Sequence, residues 1–159
     1  MHQFDLKNKT AVITGGAQGF GFDIAKKFLL SGSKVFIWDI DKTELSKATN
    51  EINSPNLNYK VVDVSNFDQV QKAVNEITLN NKIDILINNA GITGPTAELW
   101  NYNIKDWNSI IDINLHGTFY CCKSIVPHMI KNNYGRIINI ASVAGKDGNA
   151  NASAYSSAK

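Results

Sequence analysis

The sequence has few cysteines, no long apolar run and no concentration of charge. Its two cysteines, Cys121 and Cys122, are adjacent, so on a helix they point in different directions. Neither a bridge between them nor a metal-ligand spacing is expected. No stretch is apolar enough to act as a signal segment or to span a membrane. We therefore expect a protein of the reducing cytoplasm, with no metal and no membrane partner.

Charge is sparse and balanced. The sequence contains sixteen Lys and Arg residues and fourteen Asp and Glu residues, which gives a formal net charge of +2, and the basic residues are dispersed. This distribution argues against a nucleic-acid partner. With 159 residues, 43% of them hydrophobic, the chain can bury a sizeable core. A single domain over residues 1–159 is predicted.

Short apolar runs alternate with helical patterns along the whole sequence. Strands are predicted at residues 10–14, 35–38, 59–62, 83–87 and 136–140, and helices at 19–31, 42–53, 66–80 and 104–131. Such alternation favours an α/β fold with a doubly wound parallel sheet covered by helices on both faces. The stretches 89–103 and 142–153 are predicted to be irregular.

Chemically suggestive residues follow every predicted strand. In strand order they are the segment Gly15–Gly21, Asp39, Asp63, the segment Asn88–Gly91 and Ser142. Ligands of open parallel sheets bind beyond the carboxyl ends of the strands, where all these positions meet. The sequence therefore predicts one ligand site at this edge of the sheet.

The glycine-rich segment Thr14–Gly21 lies between a predicted strand and a predicted helix. Glycines there let the backbone approach a pyrophosphate at a helix N-terminus, although a simple turn is an alternative. Asp39 lies eighteen residues beyond Gly21, where a carboxylate can bind ribose hydroxyls and repel a 2′-phosphate. Because Gln18 adds no positive charge, NAD is favoured over NADP. The alternative for Asp39 is a surface turn.

Four polar residues have more than one interpretation. Asp63, followed by Val64, could meet an adenine or could cap a loop. The amides of Asn88 and Asn89 could contact a ligand, tie neighbouring strands together, or do both. Asn114 interrupts a helical pattern that includes Ile113 and Leu115, where asparagine has poor propensity. It could serve a water or lysine relay, kink the helix, or face solvent.

Tyr155 and Lys159 are four positions apart, so on a helix they share a face. An ammonium nearby favours the phenolate form of a tyrosine, which suits the phenol for proton transfer. Taken alone, this spacing is a weak signal, because surface helices produce it often. Its value depends on the motifs that precede it.

Together, these motifs resemble the NAD(P)-dependent short-chain dehydrogenase/reductase family from about Lys9 onward. The family pattern Thr-Gly-x-x-x-Gly-x-Gly matches Thr14–Gly21, and Asn-Asn-Ala-Gly matches Asn88–Gly91. Ser142 stands thirteen residues before Tyr155, as the family pattern requires. The resemblance implies an NAD(P)-binding Rossmann-type domain, here truncated after about the fifth strand.

The resemblance also implies a role for each matched residue. Tyr155 would be the general acid/base, Ser142 would orient the substrate oxygen, and Lys159 would bind the nicotinamide ribose. Asn114 would hold a water that links Lys159 to solvent. The cofactor would be surrounded by Gly15, Gln18, Gly19, Phe20 and Gly21 at the pyrophosphate, by Asp39 at the ribose, and by Asp63, Val64 and Asn89 at the adenosine portion.

The implied function is an oxidoreductase that interconverts a secondary alcohol and a ketone with NAD. Sugar, polyol or sugar-acid dehydrogenases fit Asp39 best. A 3-oxoacyl carrier-protein reductase is an alternative, although such enzymes commonly prefer NADPH and carry an arginine at the position of Gln18. A dinucleotide-binding module without turnover is another, while an S-adenosylmethionine-dependent transferase would have no use for the Tyr155–Lys159 pair.

Family members continue past the lysine into a region that selects the substrate. We therefore expect the chain to be an N-terminal fragment of a longer protein, inactive by itself. The fifth strand is expected to present an open edge. The full-length protein is expected to form a homodimer or homotetramer.

Overall fold

Five parallel strands form the centre of the computed structural model, which describes residues 5–159. The strands are β1 Thr10–Thr14, β2 Lys34–Asp39, β3 Leu57–Val61, β4 Ile85–Asn88 and β5 Arg136–Asn139. Their spatial order is β3-β2-β1-β4-β5, so the chain winds outward from β1 in both directions. The predicted doubly wound sheet is confirmed, and each strand boundary lies within two residues of its predicted position.

Helices flank the sheet on both faces. They are α1 Gly19–Leu30, α2 Lys42–Ile52, α3 Phe67–Thr78, α4 Ile104–Ile111, α5 Gly117–Lys131, α6 Val143–Asp147 and α7 Ser153–Ala158, with a 3₁₀ turn at Leu99–Asn101 and a π turn at Asp112–His116. Three of the long helices begin at a side-chain cap, because Asp41, Asn66 and Asn103 accept hydrogen bonds from first-turn N–H groups of α2, α3 and α4.

Successive residues of the inner strands are buried on opposite faces of the sheet. Val12 and Leu86 join the core beneath α3 and α5, whereas Ile13 and Ile87 join the core beneath α1 and α2. A strand covered on both faces must be apolar at nearly every position, which explains the continuous apolar runs in the sequence.

The structure corrects three boundaries of the sequence interpretation. The predicted helix 104–131 is interrupted by the π turn at Asp112–His116. The stretch 142–153, predicted to be irregular, contains α6, and the stretch 89–103 contains the 3₁₀ turn Leu99–Asn101. Both new elements have five residues or fewer and are too short to show a period in the sequence.

Strand β5 lies at one edge of the described sheet and is exposed along its length. Ile137 and Ile138 are 40% and 46% exposed, although their side chains lie on opposite faces. The expected open edge is therefore present. Within residues 5–159, the helices are too short or too polar to cross a membrane.

Candidate active site and cofactor cleft

A cleft of about 790 Å³ opens at the carboxyl edge of the sheet. Eleven predicted site residues line it: Gly15, Gln18, Gly19, Phe20, Asp39, Asp63, Val64, Asn89, Ser142, Tyr155 and Lys159. Gly21 and Asn114 lie behind the lining. Residues from both ends of the chain are thus brought to one surface, as expected when parallel strands carry them to the same edge.

Two glycines allow the first strand and helix to approach closely. Gly15 has φ +60°, in the left-handed region, and a side chain there would press on Ala90 and Asn89. A methyl group on Gly21 would overlap the carbonyl oxygen of Gly15. The glycine loop is therefore shaped so that backbone, rather than side chains, lines this part of the cleft.

The N-terminus of α1 is left without a side-chain cap. Gln18 occupies the cap position but makes no capping hydrogen bond, and the first turn contains no acidic residue. The first N–H groups of a helix need an external acceptor, and their dipole favours an anion. Phe20, which is 79% exposed, lines the cleft at this point. The arrangement fits the pyrophosphate of a dinucleotide.

A buried hydroxyl joins the glycine loop to β4, and sequence reasoning gave it no role. Thr14 Oγ1 accepts hydrogen bonds from the N–H groups of Asn89 and Ala90, both at 3.0 Å. Asn89 Nδ2 in turn donates to the carbonyls of Thr14 and Gly15 at 3.0 and 2.9 Å. Thr14 stood in the matched motif, but its partners lie about 75 residues away and could not be read from the sequence.

Asp39 lies against the glycine loop at the end of β2. Its Oδ2 accepts a hydrogen bond from the Ala17 N–H at 3.2 Å, and its Oδ1 accepts one from the Asp41 N–H at 3.1 Å. Asp41 and Asp63 line the same end of the cleft. This end therefore carries three carboxylates, whereas Lys159 lies at the other end.

Asp63 makes the hydrogen bonds expected of a residue that caps a loop. Its Oδ1 accepts hydrogen bonds from Ser65 N and Ser65 Oγ at 2.9 and 2.6 Å, and its own N–H donates to Gln69. Val64 is buried against Gly117 of α5 and reaches the cleft with one surface. Both residues thus shape the cleft wall whether or not they contact a ligand.

The catalytic candidates converge at the ends of β4, β5 and α7. Lys159 Nζ donates a hydrogen bond to the Ile140 carbonyl at 2.7 Å, directly after β5. Two residues further, Ser142 Oγ accepts the Ala144 N–H at 3.2 Å and so begins α6. Tyr155 is half-buried on α7, whose buried Ala154 packs in a small apolar cluster with Tyr102 and Ile110.

Asn114 is buried inside the π turn and binds a neighbouring loop. Its Oδ1 accepts the Ile92 N–H and its Nδ2 donates to the Ile92 carbonyl, both at 2.9 Å. The solvent-facing alternative is therefore wrong, and the helix is distorted at this residue. A side chain on Gly91 would lie 3.1 Å from Asn114 Oδ1 and 3.3 Å from Lys159 Nζ, so these two groups flank Gly91. Turns of this kind are frequent at functional sites.

Residues 5–159 contain no group of three or more His, Cys, Asp or Glu side chains that could hold a metal ion.

Comparison with known proteins agrees with this geometry. A model of the short chain dehydrogenase family matches residues 9–159. The chain is 43% identical over 152 residues to a 2-dehydro-3-deoxy-L-rhamnonate dehydrogenase (NAD(+)) of Sphingomonas sp., covering 95% of this chain and 60% of the relative. It is 38% identical over 157 residues to a 3-oxoacyl-acyl-carrier-protein reductase of Chlamydia pneumoniae, covering 97% and 63%.

A solved structure also matches. The crystal structure of NAD+-bound xylitol dehydrogenase superposes with a TM-score of 0.93 at 31% identity, covering 98% of this chain and 61% of that one. The chain thus spans about three fifths of the length of the proteins it matches. Its motifs, fold and sequence together establish that the chain belongs to the short-chain dehydrogenase family.

Proposed function

We propose that the whole protein transfers hydride between NAD and a secondary alcohol or ketone, with Tyr155 as the general acid/base. The observation that carries this proposal is the single cleft that unites Ser142, Tyr155 and Lys159 with the glycine loop and Asp39. Family membership supports the reaction class.

The residues of the cleft fit a dinucleotide. The uncapped α1 N-terminus offers N–H donors, and the Gly15–Gly21 contact leaves no side chain in their way. Bound nicotinamide supplies the hydride acceptor or donor. Tyr155 exchanges a proton with the substrate oxygen, Ser142 holds that oxygen by a hydrogen bond, and Lys159 binds the nicotinamide ribose. Asn114 acts behind them and holds a water that links Lys159 to solvent.

NAD, rather than NADP, is the proposed cofactor. Asp39, Asp41 and Asp63 line the adenosine end, and among the described lining residues the only Lys or Arg is Lys159, at the opposite end. A 2′-phosphate placed beside Asp39 would be repelled. Gly15, Gln18, Gly19, Phe20, Gly21, Val64 and Asn89 complete the proposed cofactor contacts.

The cofactor preference can be tested by calorimetry on the full-length protein. NAD should bind at least tenfold more tightly than NADP, because juxtaposed like charges cost several kcal/mol and about 1.4 kcal/mol is enough for a tenfold difference in affinity. Asp39→Ser should reduce the ratio between the affinities for NAD and NADP. Equal affinities of the unchanged protein for both cofactors would refute the argument from Asp39.

A hydroxylated small molecule such as a sugar, polyol or sugar acid is the proposed substrate class. The relative at 43% identity is named for a sugar acid, and the NAD+-bound structural neighbour is a xylitol dehydrogenase. A 3-oxoacyl carrier-protein reductase is the second candidate, favoured by the reductase at 38% identity. A screen of sugars, polyols, sugar acids and 3-oxoacyl thioesters with NAD and NADP separates the two.

The third candidate is a dinucleotide-binding module without turnover. Tyr155→Phe decides between catalysis and binding alone, because it removes the phenolic hydroxyl that exchanges the proton but keeps the ring. We expect turnover to fall by at least about a hundredfold, as is typical when a general acid/base is lost, with NAD affinity within about twofold of the unchanged protein. Undiminished turnover in Tyr155→Phe would eliminate the proposed role, and binding without turnover in the unchanged protein would favour the module.

We also propose that the full-length protein is a cytoplasmic homo-oligomer, a dimer or a tetramer. Leu115 and Phe119, four residues apart on the π turn and α5, expose apolar surface at 47% and 54%. Apolar surface of this kind is typical of a subunit interface. Light scattering of the full-length protein checks the prediction, which a monomer would contradict.

A further inference from the structure

A pair of side-chain amides joins β4 to β5 where both strands enter the cleft. Asn88 and Asn139 are register partners, and Asn88 Nδ2 donates a hydrogen bond to Asn139 Oδ1 at 2.8 Å. Asn88 is 5% exposed, so its amide is held in a nearly dry environment. The backbone of the same pair continues the ladder, because the Ile140 N–H donates to the Asn88 carbonyl at 2.9 Å.

Besides this ladder, the end of β5 is anchored by Ile140, which is partly buried against the core beneath α1 and α2. All four residues of the strand are exposed, and the strand has β4 as its single partner within residues 5–159. Apolar burial of Arg136–Asn139 themselves therefore contributes little to fixing the position of the strand. In such a strand, a hydrogen bond to a buried partner constrains the position of the chain more than it would in a packed core.

The residue that follows Asn139 supports the catalytic lysine. The Ile140 carbonyl accepts the hydrogen bond from Lys159 Nζ at 2.7 Å. A lysine ammonium has three donors on a flexible stem, so fixed acceptors decide where it lies. Movement of the Ile140 carbonyl would move the acceptor that holds this ammonium beside Gly91.

We propose that Asn139 is a positioning residue, whose amide bond to Asn88 fixes the Ile140 carbonyl and through it the ammonium of Lys159. Asn139 does not line the cleft and acts without touching a ligand. The inference rests on the proposed function for its effect on turnover. Its effect on Lys159 can be measured without any activity.

The turnover test uses Asn139→Ala and Asn139→Asp in the full-length protein. Asp keeps an acceptor at the position of Oδ1, whereas Ala removes it. Loss of one positioning hydrogen bond should lower kcat about three- to thirtyfold in Asn139→Ala, with NAD affinity changed less than twofold, and Asp should recover most of the loss. Asn58→Ala on the edge strand β3 is the matched control, because Asn58 makes no side-chain hydrogen bond in the described structure. Its kcat should stay unchanged.

Three results of this test would overturn the proposal. They are an Asn139→Ala enzyme with kcat within twofold of the unchanged protein, a fall no larger than that of Asn58→Ala, and an Asp variant no better than Ala.

A double-mutant cycle in thermal unfolding tests the coupling independently of turnover. Asn139→Ala and Lys159→Met should each lower Tm, but the double variant should lose at least about 2 °C less than the sum, because the contact that Asn139 secures is already gone. Additive shifts would refute the coupling. Absence of turnover in the unchanged protein would refute the dehydrogenase function instead, and the cycle would then decide the inference alone.

Discussion

Replacement of Thr14 by valine tests whether the hydroxyl between the glycine loop and β4 stabilises the cleft. Valine has nearly the shape of threonine, and Thr14 is 2% exposed, so the substitution removes the hydroxyl with little change in packing. Two backbone N–H groups, those of Asn89 and Ala90, lose their acceptor. A buried donor left without an acceptor costs about 1–3 kcal/mol.

For two freed donors, the expected loss of unfolding free energy is about 2–4 kcal/mol. This lies in the lower part of the sum of the two costs, because water from the adjoining cleft can reach the freed donors. Thr14→Ser keeps the acceptor and loses one methyl group, which costs about 1 kcal/mol. With a urea slope near 2 kcal/mol/M, the valine midpoint should fall by roughly 1–2 M and the serine midpoint by about 0.5 M.

Urea unfolding of the full-length protein, followed by circular dichroism, measures both shifts. Thr10→Val at the opposite end of β1 is the matched control, because the Thr10 hydroxyl makes no hydrogen bond within the described residues. This control should change the midpoint little. The reasoning fails if Thr14→Val is as stable as Thr14→Ser, or if Thr10→Val costs as much as Thr14→Val.

Two further predictions follow from burial and close contact. Gly21→Ala should lower the free energy of unfolding by about 1–3 kcal/mol and weaken NAD binding, because the added methyl group overlaps the Gly15 carbonyl. Gly148→Ala is the control for backbone strain alone, because Gly148 has φ +76° and open space around it. Equal losses of stability in the two variants would contradict the steric argument. Burial raises the pKa of the Cys121 thiol to about 12, so the thiol stays protonated at pH 8. Peptide mapping by mass spectrometry after iodoacetamide treatment should find Cys121 unmodified in the native protein and modified after denaturation, and modification of Cys121 in the native protein would refute this.

The order of strands and helices could be predicted because strands that are buried on both faces are continuous apolar runs in the sequence. The predicted limits of β1 agree with the observed strand, since Thr10–Thr14 is buried throughout. The gathering of site residues at one edge followed from the parallel order alone. The location of a ligand site formed by residues at the strand ends can therefore be predicted from the sequence.

The π turn around Asn114 could not be predicted in the same way. The buried amide of Asn114 is satisfied by the loop after β4, where Ile92 presents both an N–H and a carbonyl to it. The sequence showed an unfavourable residue in a helix without showing what compensates it. The interpretation of Asn114 as a kink or a relay could therefore not be narrowed without tertiary contacts.

Hydrogen bonds from side chains on distant segments determine the shape of the cleft. Thr14 and Asn89 hold the glycine loop, Asn114 holds the loop after β4, and Asn88 with Asn139 holds the ends of β4 and β5. Each bond joins segments at least 22 residues apart, so each depends on the tertiary fold rather than on local sequence. We infer that the cleft is organised by the fold before any ligand binds. Preorganisation of this kind lowers the entropy lost on binding, because the hydrogen-bond donors of the cleft are already in position.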